Sequence, residues 1–193
     1  TSNNNITDDG IKFLSNLTIL DLSRNVIISD KGIENLINLT SLDLEGNENI
    51  SDKTLSLLTN LKTLKLYENK KIGDNGINNL TNLTHLSLSD NACITDNGIK
   101  HLIDLKSIEL YYNYVITNEG LKNLKNLTNL DLDNNRSITD EVIQYENIIS
   151  LNLRKNEEIT NNALKKMTNL TQLNLNSNEY ITSDGVSTLI NLT

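Results

Sequence analysis

Proline and tryptophan are absent from this chain of 193 residues, and phenylalanine, methionine and cysteine occur once each. Apolar residues make up 37% of the sequence, a low share for a globular domain of this size. So little apolar material excludes a thick core and leaves a thin, continuous one. The single Cys93 excludes an intrachain disulfide framework. Basic side chains are also scarce, with 17 Lys and Arg against 25 Asp and Glu and a net charge of −8. That balance lacks the basic stripe of a nucleic-acid groove and is repelled by an anionic membrane surface. No apolar run approaches the roughly 20 residues of a membrane-spanning helix. Thr1-Ser-Asn-Asn-Asn5 has no signal-peptide pattern, and the missing initiator Met suggests a piece of a longer protein or a processed one.

The apolar residues that remain are not scattered. Asn25, Asn47, Asn69, Asn91, Asn113, Asn135, Asn156 and Asn178 recur every 22 residues, apart from one step of 21 between Asn135 and Asn156. Self-similarity at such a period marks a solenoid. The second unit reads Ile28-Ser-Asp-Lys-Gly-Ile33-Glu-Asn-Leu36-Ile-Asn-Leu39-Thr-Ser-Leu42-Asp-Leu44. Ile33 and Leu36 are three apart, which suits a helical turn, and Leu42 and Leu44 are two apart, which suits a strand. Each unit is therefore a short helix followed by a short strand, and the fold class is α/β.

Local signals punctuate the unit. Thr7, Ser29, Thr95, Thr117, Thr139, Thr160 and Thr182 stand where a helix N-cap is wanted, and an Asp follows several of them, placed to favour the helix dipole. Gly10, Gly32, Gly76, Gly98, Gly120 and Gly185 recur two residues after the Asp position. Glycine within a helix costs about 1 kcal/mol against Ala, so its recurrence predicts close approach of neighbouring units. A second asparagine column, Asn16, Asn38, Asn60, Asn82, Asn126, Asn169 and Asn191, is expected to end each helix in the left-handed conformation. Between Ile138 and Leu151 the chain is one residue short, and its segment Asp140–Ile148 lacks the usual Gly, which predicts an irregularity on the helical side.

The pattern Leu-x-x-Leu-x-Leu-x-x-Asn, as in Leu39-Thr-Ser-Leu42-Asp-Leu44-Glu-Gly-Asn47, resembles the leucine-rich repeat family over nearly the whole chain. The 22-residue length resembles bacterial surface and regulatory-subunit types, while Ile-Thr-Asp-x-Gly resembles the cysteine-containing type of ubiquitin-ligase substrate receptors. The resemblance implies a right-handed leucine-rich repeat solenoid, with a curved parallel β-sheet on the concave face and short helices on the convex face. It implies a buried Asn25 column whose amides bond to backbone groups of adjacent turns. Residues 1–193 are expected to form a single domain of about eight repeats, a fragment without terminal caps. The lone cysteine, with no cysteine-rich cap, favours a cytoplasmic, reducing compartment.

Function is expected on the sheet. Its outward columns vary while the scaffold repeats, and variable positions on a rigid scaffold are where binding usually sits. Tyr67, Tyr111, Tyr112 and Tyr114 gather four of the six tyrosines in the middle repeats, and tyrosine is enriched in binding hot spots. With His85, Glu109, Asp131 and Asp133 they form the candidate partner-binding set. Asp21, Asp43 and Glu45 form one acidic patch, and Glu109, Asp131 and Asp133 another, suited to a basic partner more than to calcium, whose six to eight oxygens must converge. His85 beside Ser87 and Ser89 has no third group to complete a catalytic set. There is no Gly-rich phosphate loop, no metal-ligand cluster and no cofactor motif. Cys93 is expected to pack at its turn, and the many Asn-x-Ser/Thr sequons to follow from the repeat register. The expected function is a non-enzymatic module binding a protein or peptide, not nucleic acid, on the concave face. The alternatives are the substrate-recognition part of a larger ligase or effector protein, an extracellular adhesion or pattern-recognition surface, and a structural spacer.

Overall fold

The structure is a computed structural model of the chain, and it describes residues 5–141 and 145–193. Eight three-residue strands, β1 (Ile19–Asp21), β2 (Ser41–Asp43), β3 (Thr63–Lys65), β4 (His85–Ser87), β5 (Ser107–Glu109), β6 (Asn129–Asp131), β7 (Ser150–Asn152) and β8 (Gln172–Asn174), pair in sequence order in one parallel sheet. Between them run four-residue helices, α1 (Asp8–Ile11), α2 (Asp30–Ile33), α3 (Asp52–Leu55), α4 (Asp74–Ile77), α5 (Asp96–Ile99), α6 (Asn118–Leu121), α7 (Asn161–Leu164) and α8 (Ser183–Val186). Every strand pairs one repeat on, Leu42 with Leu64 and Leu64 with Leu86, so equivalent residues stack in columns. Strands stack about 4.8 Å apart and a helix is about 10 Å wide, so the rod bends toward its sheet.

The core is a single stripe of stacked leucines and isoleucines. Repeat positions such as Ile50, Leu55, Leu58, Leu61, Leu64 and Leu66 are completely buried. Six apolar residues per repeat suffice because each repeat covers the next, which is how a chain so poor in apolar residues folds.

Polar side chains then hold successive repeats in register. In the first column, Asn113 is typical. Its Nδ2 donates to the Asn91 carbonyl oxygen at 2.8 Å and to Leu88 O at 2.9 Å, while its Oδ1 accepts from the N–H groups of Val115 and Ile116. Asn47, Asn69, Asn91, Asn135, Asn156 and Asn178 bond in the same manner, Asn25 Oδ1 likewise accepts from the N–H groups of Ile27 and Ile28, and all but the half-buried Asn178 are buried. The short repeat does not break this column. Asn156 Nδ2 still reaches Asn135 O at 2.9 Å, and β6 and β7 stay in register. The missing residue is absorbed on the helical side. There Asp140 and Glu141 form a turn and Tyr145–Asn147 a 3-10 helix, with residues 142–144 outside the described residues.

A second column corrects the reading of the capping residues. The hydroxyls of Ser29, Ser51, Thr95 and Thr117 donate to the Asp one repeat before (Asp8, Asp30, Asp74 and Asp96), at 2.6 to 2.7 Å. The same carboxylates accept the backbone N–H of those residues. Side-chain capping within the same helix is found at Thr95, Thr117 and Thr160, but not at Thr7, Ser29 or Thr182. The Asp is thus a strut between repeats and not merely a dipole partner. Asn118 and Asn161 replace it with the polarity reversed, their Nδ2 donating to the Thr139 and Thr182 hydroxyls.

The strut explains the helix glycines. A Cβ on Gly98 would stand 2.6 Å from Asp74 Oδ1, and one on Gly76 2.7 Å from Asp52 Oδ1. These glycines are needed for space, and neighbouring repeats do approach closely there. Where α3 carries Thr54 instead, its side chain bonds to Asp30.

The asparagine column beginning at Asn16 is not left-handed. Positive φ falls instead on the residue before each buried asparagine, at Arg24, Gly46, Glu68, Asp90, Tyr112, Asn134, Lys155 and Ser177. Asn38, Asn60, Asn82, Asn126, Asn169 and Asn191 use Nδ2 to reach a carbonyl oxygen of the preceding repeat, as Asn82 does to Thr59 O at 2.9 Å. They staple repeats from the outside. Cys93 is exposed rather than packed, its thiol donating to Lys70 O.

Three outcomes follow from these columns. Asn91→Ala strands buried backbone groups and is expected to destabilise by about 1–3 kcal/mol, whereas Asn82→Ala loses one exposed bond. Equal urea midpoint shifts would contradict that division. Gly98→Ala, which helix propensity alone would make stabilising by about 1 kcal/mol, is expected to lower the melting temperature because Asp74 must move. The third concerns acid. Burial pushes Asp30 up, but hydrogen bonds from the Ser51 N–H, the Ser51 hydroxyl and Thr54, with the Lys53 charge, hold it below the usual carboxylate range. Asp21 is held low by the Ser23 hydroxyl and N–H. A folded pKa below the unfolded one adds stability that is present above the ordinary value near 4 and is lost as pH falls through the folded value. Asp30→Asn, with the polarity already used at Asn118, is expected to fold and to lose less stability than wild type between about pH 4.5 and pH 2. An unchanged acid profile would remove the strut from the account of acid sensitivity.

Candidate functional site

With the columns above engaged in holding repeats together, the side chains that differ from repeat to repeat are those facing outward from the sheet. Small residues in one repeat open a depression there. Ser87 ends β4 and Ser89 lies two residues on, while the equivalent positions before and after are Lys65 and Tyr67, then Glu109 and Tyr111. The result is a depression of about 470 Å³ floored by the two buried serines and lined also by Glu45, Asp131 and Asp133.

Five of the eight residues proposed from sequence line this depression, namely Tyr67, Glu109, Tyr111, Asp131 and Asp133. Tyr112 and Tyr114 do not. They extend from Tyr111 along the turn after β5 as an edge-to-face series, with ring centroids 4.4 Å apart for Tyr111 and Tyr112 and 6.3 Å for Tyr112 and Tyr114. His85 is exposed in the neighbouring outward column, its Nδ1 2.9 Å from Thr84 Oγ1. Ser87 and Ser89 are buried floor residues, so His85 and these serines form no catalytic set. Ser87, Ser89, Lys65 and Glu45 also line the depression and lie outside the partner-binding set expected from sequence. The signal for the floor was present, as serines at both outward positions of one repeat, flanked by Lys65 and Tyr67 before and Glu109 and Tyr111 after.

The acidic patches are more compensated than their composition suggests. Asp43 pairs with Lys65 at 3.2 Å, Glu45 with Arg24 at 3.0 Å, and Asp133 with Arg154 at 3.1 Å. Asp21, Asp43 and Asp131 also each accept the N–H of the residue two further on, so part of that column shapes the strand exit. Lys65 is held above its usual value, first by its hydrogen bond to Asp43 and then by that carboxylate's charge. Two acceptors are left over. Glu109 is exposed, and its carboxylate has no hydrogen bond or close ion pair among the described residues, only the more distant charge of Lys65. Asp133 is only 8% exposed, and its Oδ1 has no hydrogen-bond donor.

Tyr67 and Tyr111 stay protonated to higher pH than usual. Tyr67 is raised first by a hydrogen bond with Glu68, and Tyr111 first by desolvation and then by nearby Tyr112 and Asp133. Among the described residues no group of His, Cys, Asp and Glu is arranged to hold a metal ion, and no helix is long and apolar enough to cross a membrane.

The repeat geometry agrees with comparison to known proteins. The family model described as Leucine Rich repeat matches residues 2–15, 13–37, 35–58, 79–102 and 166–189, together more than half of the chain. The protein belongs to the leucine-rich repeat family, whose members commonly serve as protein–protein interaction modules. No curated protein matches in sequence. Among solved structures, internalin C2 of Listeria monocytogenes is similar at 24% identity and a TM-score of 0.70, over 97% of this chain and 82% of that one. TLR13, solved as a complex with a single-stranded RNA, is similar at 27% identity and a TM-score of 0.68, over 97% of this chain and 29% of that one. A leucine-rich repeat protein of Leptospira interrogans is similar at 22% identity and a TM-score of 0.67, over 99% and 57%.

Proposed function

We infer that this protein is a non-enzymatic binding module that takes a protein or peptide on its sheet face, with the depression between Tyr67 and Tyr111 at the centre of the footprint. The observation that carries this reading is the division of labour among side chains. Asparagine, aspartate and leucine columns repeat unchanged to hold the stack, while the sheet face carries side chains that differ from repeat to repeat and the depression itself. A ring such as Tyr111 offers large contact area with few rotatable bonds to immobilise. The same unit serves equally as the substrate-recognition part of a larger ligase or effector protein, or as an adhesion or pattern-recognition surface. Each of these uses the same face. The RNA in the TLR13 complex belongs to that protein, and a net charge of −8 here disfavours a polyanionic partner.

The test is selection of displayed peptides on the immobilised protein. Tyr111→Ala is expected to weaken selected peptides by about 2 kcal/mol while leaving the melting temperature nearly unchanged, since the ring lies outside the leucine core. Asn174→Ala, on β8, serves as the control. Binding insensitive to Tyr111→Ala but lost on changing the exposed Ile37, Leu57 or Ile103 of the helical side would move the site off the sheet.

A further inference from the structure

Resting on the sheet-face reading, we propose that the depression is an arginine slot: it takes the guanidinium group of a partner's arginine side chain between the rings of Tyr67 and Tyr111, over Ser87 and Ser89, against Glu109 and Asp133. The two tyrosines occupy one column, with the Ser89 repeat between them. Strands stack at about 4.8 Å, so a group standing over the serine column has a tyrosine column about that far away on either side. That is within the roughly 6 Å over which a cation is attracted to an aromatic face. The intervening space is open because both floor residues are small.

The charges select a cation. Four carboxylates and one ammonium line the depression, and the ammonium of Lys65 is engaged with Asp43 on the side away from Glu109. Glu109 has no close partner among the described residues, and its carboxylate offers two acceptors to a forked donor. Asp133 supplies a second, independent sign of a missing donor. It lines the same depression, its side chain is about nine-tenths buried, and one oxygen is held by Arg154 while the other is covered and has no donor. A buried carboxylate oxygen in that state is penalised until a donor reaches it.

Arginine fits better than lysine. A guanidinium is flat, stacks against aromatic faces, is weakly hydrated and presents several N–H donors in fixed directions. A lysine ammonium is compact and strongly hydrated, and it would satisfy one carboxylate without filling the slot between two rings.

The experiment is a titration of the isotope-labelled protein with Nα-acetyl-arginine amide, followed by amide shifts. The neutral isostere Nα-acetyl-citrulline amide and Nα-acetyl-lysine amide are the comparison probes. The arginine probe is expected to move the resonances of Tyr67, Ser87, Ser89, Glu109 and Tyr111 in a saturable manner with a dissociation constant in the millimolar range. Citrulline is expected to bind at least about tenfold more weakly, and Glu109→Gln and Tyr67→Ala each to weaken the arginine probe by about tenfold. Both substitutions are on the sheet surface and leave the leucine core intact. Equal response to arginine and citrulline overturns the slot. So do no shifts up to about 20 mM, or shifts spread over the acidic surface that lysine reproduces and Tyr67→Ala does not change. The two readings fail separately. Selected peptides that need Tyr111 but tolerate arginine-to-citrulline exchange end the slot and leave the sheet-face site standing. Selected peptides indifferent to Tyr111 end the sheet-face reading.

Discussion

The buried asparagine column is the interaction on which the rest of the structure depends. After each strand the chain turns from sheet to helix and leaves backbone donors and acceptors that no neighbouring strand can serve. One amide answers this from both ends, since it carries two donors and two acceptor sites. Asn113 uses its oxygen to accept two N–H groups of its own turn and its nitrogen to donate to carbonyls of the turn before. The oxygen fixes the shape of one repeat and the nitrogen fixes its position on the previous one. Local geometry and stacking register are therefore set by a single side chain, repeated along the rod.

The constraint propagates outward. With the turns locked, the residue before each asparagine is driven to positive φ, and its N–H carries inter-repeat bonding one step past the strand, as Gly46 N–H does to Tyr67 O and Asp90 N–H to Tyr111 O. The third outward column, with both tyrosines of the depression, is thus held as firmly as the strand although it lies beyond it. On the opposite flank the aspartate struts crowd the glycines of α2, α4, α5 and α6, where a Cβ would meet the carboxylate. Three polar columns and one leucine stripe fix the repeat, and the outward side chains of the sheet are the ones left to differ from repeat to repeat.

Much of this was legible in the sequence because columns are visible as periods. The 22-residue spacing, the helix-then-strand alternation and the close approach at Gly98 follow from which residues recur. What each recurring polar residue bonds to does not follow, because a period gives a position and not a direction. Local rules for helix ends account for Asn82 and Ser29, yet both side chains reach across to the preceding repeat. The local rule and the inter-repeat rule choose the same residue types at the same places, so sequence cannot separate them. The same holds for the acidic patches. Arg24, Lys65 and Arg154 neutralise them from neighbouring repeats 21 or 22 residues away, a pairing that appears only once the columns are stacked. The depression was half legible: its tyrosine walls are conspicuous in a chain with few aromatics, but its floor is defined by small residues.

A scaffold so heavily committed to stacking has a consequence for how its surface can vary. At the seven non-glycine positions with positive φ, the left-handed backbone costs roughly 1–2 kcal/mol against glycine-like freedom. Gly46 shows that glycine is compatible with this turn. The polar residues at the other positions include asparagine and aspartate, which tolerate the conformation through local hydrogen bonding. Tyr112 has no such relief: it is a bulky residue at a position that disfavours it, with its ring against Tyr111 and its neighbour Tyr114 exposed. The turn would be served as well or better by glycine, so the backbone gives no reason for a tyrosine here. Its contacts give one: the ring packs against Tyr111 at the wall of the depression and continues the aromatic surface from the strand onto the turn, toward Tyr114.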